Sequence, residues 1–205
     1  VKAFRGQPQV SIGQYATIEV MPEGALPSAE ELRAPAKRNL AELAASGGGN
    51  GVRVDGVVLE VKKGSGLIFR CSVEGCNRVL QNRQCALHPQ RQEGVPDLRV
   101  KAILDDGYGA ATFFADRAST ERLLGKTLAQ CQQQAKDAMT VDVVQEDLDR
   151  VLTGKRVAVF GRAMSGEFGL QLMADDIEFA PERHDLQPEV EALLARIAEH
   201  APEVA

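Results

Sequence analysis

The chain has 205 residues, 44% hydrophobic and 26% charged, which holds one domain of about 130 residues with appendages, or two small domains. No apolar run approaches the ~20 residues that span a bilayer, and the N-terminus has no signal-peptide pattern, so no membrane role is expected and the setting is expected to be intracellular. The net charge of −5 excludes little, because residues 62–101 set Lys62, Lys63, Arg70, Arg78, Arg83, Arg91, Arg99 and Lys101 against only Glu74, Glu93 and Asp97, while the acids gather from Asp175 onward; a basic region inside an acidic chain leaves a nucleic-acid partner open.

Residues 1–20 alternate around turn signals and predict two strands joined by a Gly-Gln-Pro turn, with Tyr15-Ala-Thr-Ile-Glu-Val strand-like as well. Ser28 to Ala45 is helix-prone, with Leu32, Leu40 and Leu43 apolar and Pro35 breaking or restarting it. Ser46-Gly-Gly-Gly-Asn-Gly predicts a flexible boundary. Beyond it, Val52 to Val61 is a β-branched strand, followed by a Lys-Lys-Gly-Ser-Gly turn. A second strand runs from Leu98 to Leu104, with Leu98, Val100, Ala102 and Leu104 on one face. Asp105-Asp-Gly-Tyr-Gly is a hairpin turn into a third strand, Ala110 to Phe114. Ser119 is expected to cap a helix whose composition runs to about Met139, and Glu146 to Leu152 is a second helical piece. Val157 to Arg162, Phe168 to Leu172 and Ile177 to Phe179 supply the last strands. Pro188 opens a final helix with Val190, Leu193, Leu194 and Ile197 on one apolar stripe.

Cys71, Cys76, Cys85 and His88 fall within eighteen residues as C-x4-C-x8-C-x2-H. Three thiolates and an imidazole complete a tetrahedral zinc set and leave no open position, so the expected metal is structural. Each pair is short enough to form a turn that aims two ligands at one ion, and Gly75 gives the first turn its backbone freedom. Cys131 remains as a small buried hydrophobe in a helix, and a reducing compartment follows.

The order of strand, metal insert, strand hairpin, helix and strand hairpin predicts an all-β fold with accessory helices. It matches a five-stranded Greek-key OB-fold barrel with the zinc module, at 67–92, between strands one and two. The opening Val1-Lys-Ala-Phe-Arg-Gly echoes Val157-Ala-Val-Phe-Gly-Arg, so residues 1–22 are expected to be the last hairpin of a preceding OB domain and the chain a fragment. Residues 23–50 then form a helical, Gly-rich linker, 51–180 the barrel, and 181–205 an acidic tail with the C-terminal helix.

With those residues in place, the chain resembles replication protein A of archaeal type. The likeness runs from Gly64-Ser-Gly-Leu-Ile-Phe-Arg-Cys through Cys76, Arg78-Val-Leu-Gln, Cys85 and His88 to Pro96-Asp-Leu-Arg-Val-Lys-Ala-Ile-Leu-Asp-Asp-Gly. The resemblance implies sequence-independent binding of single-stranded DNA in replication, repair and recombination, by aromatic stacking and by Lys and Arg on phosphates. It places stacking aromatics at Phe114, Phe160 and Phe4. Arg99 and Lys101 are expected in the groove beside them, with Arg70, Arg78 and Arg83 along the rim. It also implies homo- or hetero-oligomer formation through the C-terminal helix, and contact with other replication proteins.

Two other classes stay open. One is RNA binding by an OB and zinc module; the other is a protein-interaction module without strand binding. An enzyme is not expected. Gly107-Tyr-Gly has no third glycine at dinucleotide-binding spacing, and Thr153-Gly-Lys-Arg lacks the upstream glycine of a phosphate loop. Asp105 and Asp106 read as turn chemistry.

Overall fold

The structure, a computed structural model, describes residues 2–4, 7–9, 11–17, 19–22, 28, 31, 34–90, 93–167, 169–180, 190–191 and 193–195. Its strands in chain order are β1 (Lys2–Phe4), β2 (Gln7–Gln9), β3 (Ala36–Lys37), β4 (Gly48–Val61), β5 (Gly66–Arg70), β6 (Val95–Asp105), β7 (Ala110–Ala115), β8 (Arg156–Gly166) and β9 (Gly169–Phe179). The helices whose bounds lie among the described residues are α1 (Leu40–Ala45), α2 (Arg117–Leu124), α3 (Leu128–Asp137) and α4 (Asp142–Leu152). Among the described residues no helix is long and apolar enough to cross a membrane.

Strand β4 closes the sheet on itself. Its first part runs antiparallel to β8 and its last part antiparallel to β6, and Val57 faces both Arg156 and Asp105. A register shift between Val58 and Glu60 leaves Leu59 outside the ladder and bends the strand from one neighbour to the other. Gly56 stands at this crossing because a Cβ there would come within 2.5 Å of the Asp105 carbonyl oxygen. β6 then pairs with β7, β7 lies parallel to β9, and β9 returns antiparallel to β8. The cycle β4-β6-β7-β9-β8 is therefore a barrel, with β3 and β5 added outside it.

The period-two pattern of these strands fills the interior. Val52, Val54, Val58, Val100, Ala102, Leu104, Phe113, Val157, Val159, Leu172 and Ile177 are all buried in one core. Leu148 and Leu152 join it from α4, at positions four apart on one helical face. A smaller core sits beside the barrel, where Leu67 and Leu98 meet Cys131, Ala135 and Val144 of the helices. Burial pushes the Cys131 thiol pKa up, as for an apolar packing group.

Several boundaries differ from the sequence reading, each for a local reason. Gly48 to Gly51 lie inside β4; a Cβ at Gly48 would collide with the Ala163 carbonyl oxygen, so Gly48 permits close strand approach. Within the helix-prone stretch 28–45, Glu31 and Leu40–Ala45 are helical, and beyond Pro35 the chain first pairs Ala36–Lys37 with Val52 and Arg53 before the helix restarts. Leu40 and Leu43 of that helix are buried in the barrel core, so this part is packed structure and not linker. Asp116, not Ser119, caps α2: its carboxylate accepts from the Ser119 amide at 3.0 Å. Gly125 ends α2, and Thr127 with Gln130 opens α3 by a capping box, so the single expected helix is two. Gln7 and Pro8, read as turn, pair with Phe4 and Ala3 in β2. Tyr15 to Val20 forms no strand among the described residues.

The Asp-Asp-Gly turn does more than reverse the chain. Asp106 Oδ1 accepts from the Tyr108 and Gly109 amides, and Oδ2 accepts from the Leu40 amide at 2.6 Å, which ties α1 to the β6–β7 hairpin. Toward the C-terminus, Val190, Leu193 and Leu194 are helical and exposed, and Ile197 lies outside the described residues.

Candidate metal centre and nucleic-acid interface

Residues 71–90 leave β5 and return to β6 as two small hairpins. In the first, the Cys71 amide donates to the Arg78 carbonyl at 2.8 Å and the Leu80 amide to the Phe69 carbonyl at 2.8 Å. Gly75 takes φ +76 at its tip, where the Cys76 amide turns back to the Val73 carbonyl. In the second, Gln81 and Gln84 exchange amide bonds of 2.9 Å around Asn82 and Arg83, which both have positive φ. That is the mirror-image turn that suits a two-residue hairpin.

These turns bring four ligand atoms together. The Cys71, Cys76 and Cys85 sulfurs and a ring nitrogen of His88 all lie within 4.8 Å of one another. Cys71 Sγ and His88 Nδ1 are 3.3 Å apart, and the Cys76 and Cys85 sulfurs 3.8 Å apart. A zinc ion with bonds of ~2.3 Å to sulfur and ~2.0 Å to nitrogen spaces tetrahedral ligands about 3.5–3.8 Å apart, so the set fits. It does not fit a disulfide, whose sulfurs sit ~2.05 Å apart. At Cys85 burial opposes ionisation, but the Leu87 and His88 amides and the His88 ring outweigh it and bring the thiol down to about 6.

The cations expected around this module divide into two sets. Arg70 is held by the fold, its Nε donating to Asp97 and its Nη1 to the Asn77 carbonyl at 2.8 Å. Arg99 donates to the Gly64 carbonyl at 2.7 Å, and burial, with Arg70 close by, pulls its pKa down. Both guanidiniums are therefore partly engaged within the fold, Arg99 through Nε alone and Arg70 through Nε and Nη1. Arg78 and Arg83 are exposed and form no ion pair among the described residues.

Phe113 is fully buried, and Phe114 beside it is half-buried on the outer face of β7. Across the ladder Phe114 faces Lys101 on β6 and Met173 on β9, and Met173 faces Arg162 on β8. Opposed residues project from the same side of a sheet, so Lys101, Phe114, Met173 and Arg162 form one rank across the outer wall. The adjacent rank is Ile103, Thr112, Gln171 and Met164, and neither rank contains an acid.

Phe160 lies elsewhere. Strand β9 separates it from Phe114, and its cross-strand neighbours are Arg53 and Asp176. The Arg53 guanidinium carbon sits 5.3 Å from its ring centroid, so one ring face is already covered by a cation. Arg53 also pairs with Asp55, and Asp176 with Arg122, which leaves that surface of mixed charge. Phe160 and Phe114 are thus not direct cross-strand neighbours: Phe160 stands two residues from Arg162 on β8, with β9 between it and Phe114. The side chain of Phe4 lies outside the described residues.

Sequence reasoning missed Met173 and Arg162. A signal was present, since Met173 alternates with Leu172 and Arg162 stands between Gly161 and Ala163, but only the register shows which outward residues meet.

No family model matches the chain, and no curated protein matches it. Among solved structures it is similar to a replication protein A heterotrimer bound to single-stranded DNA, at 14% identity and a TM-score of 0.49, over 80% of this chain and 40% of that one. It is similar also to yeast replication protein A bound to single-stranded DNA, at 14% identity and a TM-score of 0.39, over 72% of this chain and 84% of that one. A third is the second OB-fold domain of replication protein A from Methanococcus maripaludis, at 11% identity and a TM-score of 0.32, over 65% of this chain and 87% of that one. The chain spans 40% of the length of the first of these. The fold stands on the pairing cycle β4-β6-β7-β9-β8 of this chain, which is that of an OB barrel.

Proposed function

We propose that this chain is a non-catalytic module that binds single-stranded DNA without regard to sequence, in replication, repair and recombination. The rank Lys101–Phe114–Met173–Arg162 carries the reading. An outward aromatic offers a base a stacking face worth ~1–3 kcal/mol, indifferent to which base it is. A cation at each end of the rank meets the phosphates, and the absence of acids from this rank and the next leaves that attraction unopposed. Met173 extends the apolar surface with a polarizable thioether that adapts to a base.

The module at 71–90 replaces the loop between the first two barrel strands and holds zinc through Cys71, Cys76, Cys85 and His88. Bound there, zinc supplies structural cross-linking only, because the four protein ligands fill its coordination. The surrounding chain presents Arg78 and Arg83 to the strand. The exposed Val190, Leu193 and Leu194 stripe, continued by Ile197, serves subunit assembly.

A titration of DNA and RNA oligomers of equal length against the metal-loaded protein tests this. Preference for DNA, or equal affinity for thymine-rich and mixed-sequence DNA strands, agrees with it. Clear preference for RNA moves the function to RNA binding, and failure to bind any strand at low salt leaves a protein-interaction module.

A further inference from the structure

Asp97 is 7% exposed and lies at the root of the metal module. It sits on β6 opposite Ile68 of β5, and its two oxygens are divided between two arginines. One accepts from Nε of Arg70, the other from Nε of Arg117 at 2.7 Å. Arg70 is the last residue of β5 and directly precedes the ligand Cys71, and it also grips the Asn77 carbonyl just after the ligand Cys76. Arg117 is the first residue of α2, which follows the strand carrying Phe114. One carboxylate thus joins the strand that feeds the metal site, the first metal hairpin, a barrel strand and a barrel helix. Burial would raise its pKa, but the two guanidiniums overcome this and hold it below the usual carboxylate range.

The module needs such a fastening. Within residues 71–90 only Cys71 and Cys85 are buried, with Val79 and Leu80 half-buried and Leu80 against Gly94, so little apolar contact sets the angle between module and barrel. Backbone bonds attach the hairpin to β5, and β5 is itself an edge of the sheet. The Asp97 bonds are the described polar link that carries the attachment across β6 to α2.

We infer that Asp97 is a positioning residue that fixes the metal module against the barrel, so that Arg78 and Arg83 stay aligned with a strand lying over Lys101 and Phe114. This rests on the strand-binding reading above. The competing account is that Asp97 only neutralises Arg70 and Arg117, which would otherwise seek phosphates. The two accounts differ in sign.

The test compares wild type with Asp97→Asn and with Arg117→Gln, which cuts only the more exposed limb of the clamp. Zinc transfer to a chromogenic chelator is timed, and a fluorescent oligothymidylate is titrated at several salt concentrations. Positioning predicts one zinc per chain in both variants and a barrel transition that is lowered but still cooperative. It predicts faster zinc transfer in Asp97→Asn, by about 10-fold, the lower end of what losing a partner of a metal ligand costs, because Asp97 acts one step further out through Arg70, which adjoins Cys71 and holds the Asn77 carbonyl beside Cys76. Strand binding weakens, and the salt dependence flattens by about 0.7 for each of Arg78 and Arg83 drawn out of reach. The further loss on adding Phe114→Ala stays as in wild type. Unchanged zinc transfer with a steeper salt slope and tighter binding overturns positioning in favour of neutralisation; no change in either readout overturns both. If wild type binds no strand, the functional reading falls and zinc transfer alone decides the clamp. If Asp97→Asn does not fold, Arg117→Gln decides it by the same readouts.

Discussion

From Val52 to Ile177 the barrel closes its strands around an unbroken set of valines, leucines and Phe113, whereas residues 71–90 bury two cysteines and little else. The barrel is ordered by removing apolar surface from water, spread over many side chains. The module has no such reserve, and its order depends on four ligand atoms meeting at one point. Two regions joined through the same β5–β6 ladder should therefore fail under different insults.

Metal removal separates them most widely, since a structural zinc is worth ~10–16 kcal/mol to a small module. Chelation, or Cys85→Ser, should abolish hydrogen-exchange protection through 71–90 and leave β4 and β6 to β9 protected. Simultaneous loss of protection in β8 and β9 would erase the distinction.

The next largest contrast lies between neighbours on β7. Phe113→Ala should destabilise the barrel by ~3–5 kcal/mol in urea unfolding, as a large buried side chain does. Phe114→Ala should change stability by less than about 0.5 kcal/mol. Equal losses would put Phe114 in the core.

Glycine replacements sharpen the comparison further. A Cβ at Gly161 would strike the Met173 carbonyl oxygen, so Gly161→Ala should cost the barrel about 1–3 kcal/mol in a thermal melt. Gly75 has φ +76 with nothing within 4 Å of its missing Cβ. Gly75→Ala should cost about 1 kcal/mol, read as weaker zinc retention with the barrel melt unmoved.

The smallest effect lies in the helical layer. Met139 sits at φ +55 after α3 and is 92% exposed, in a position glycine adopts without strain. Met139→Gly should raise barrel stability by about 0.5–1 kcal/mol and leave zinc content untouched.

The same contrast governs what could be read from residues alone. Barrel strands were legible because Leu98, Val100, Ala102 and Leu104 alternate over a period that only a strand buries on one face. The metal set was legible because cysteine and histidine are scarce and their spacing is local. Contacts between distant segments were not. Gly48 to Gly51 have a linker's composition, yet at Gly48 the Ala163 carbonyl, from far along the chain, leaves no room for a side chain. Arg70 and Arg99 have the composition of a phosphate rim, yet Asp97 and the Gly64 carbonyl hold them. Phe160 and Phe114 look equivalent as strand aromatics, and only the register gives one a covering arginine and the other a flanking lysine.

The central claim is that the barrel wall stacks bases while the metal module adds charge, and one titration series addresses it. Wild type, Phe114→Ala and chelated wild type are titrated with a fluorescent single-stranded DNA across salt concentrations. The account predicts that Phe114→Ala weakens binding by ~1–3 kcal/mol with an unchanged salt slope. Chelation should flatten the slope by about 0.7 per lost contact and leave residual binding that still depends on Phe114. Full affinity in folded Phe114→Ala, or no dependence on Phe114 after chelation, would contradict it.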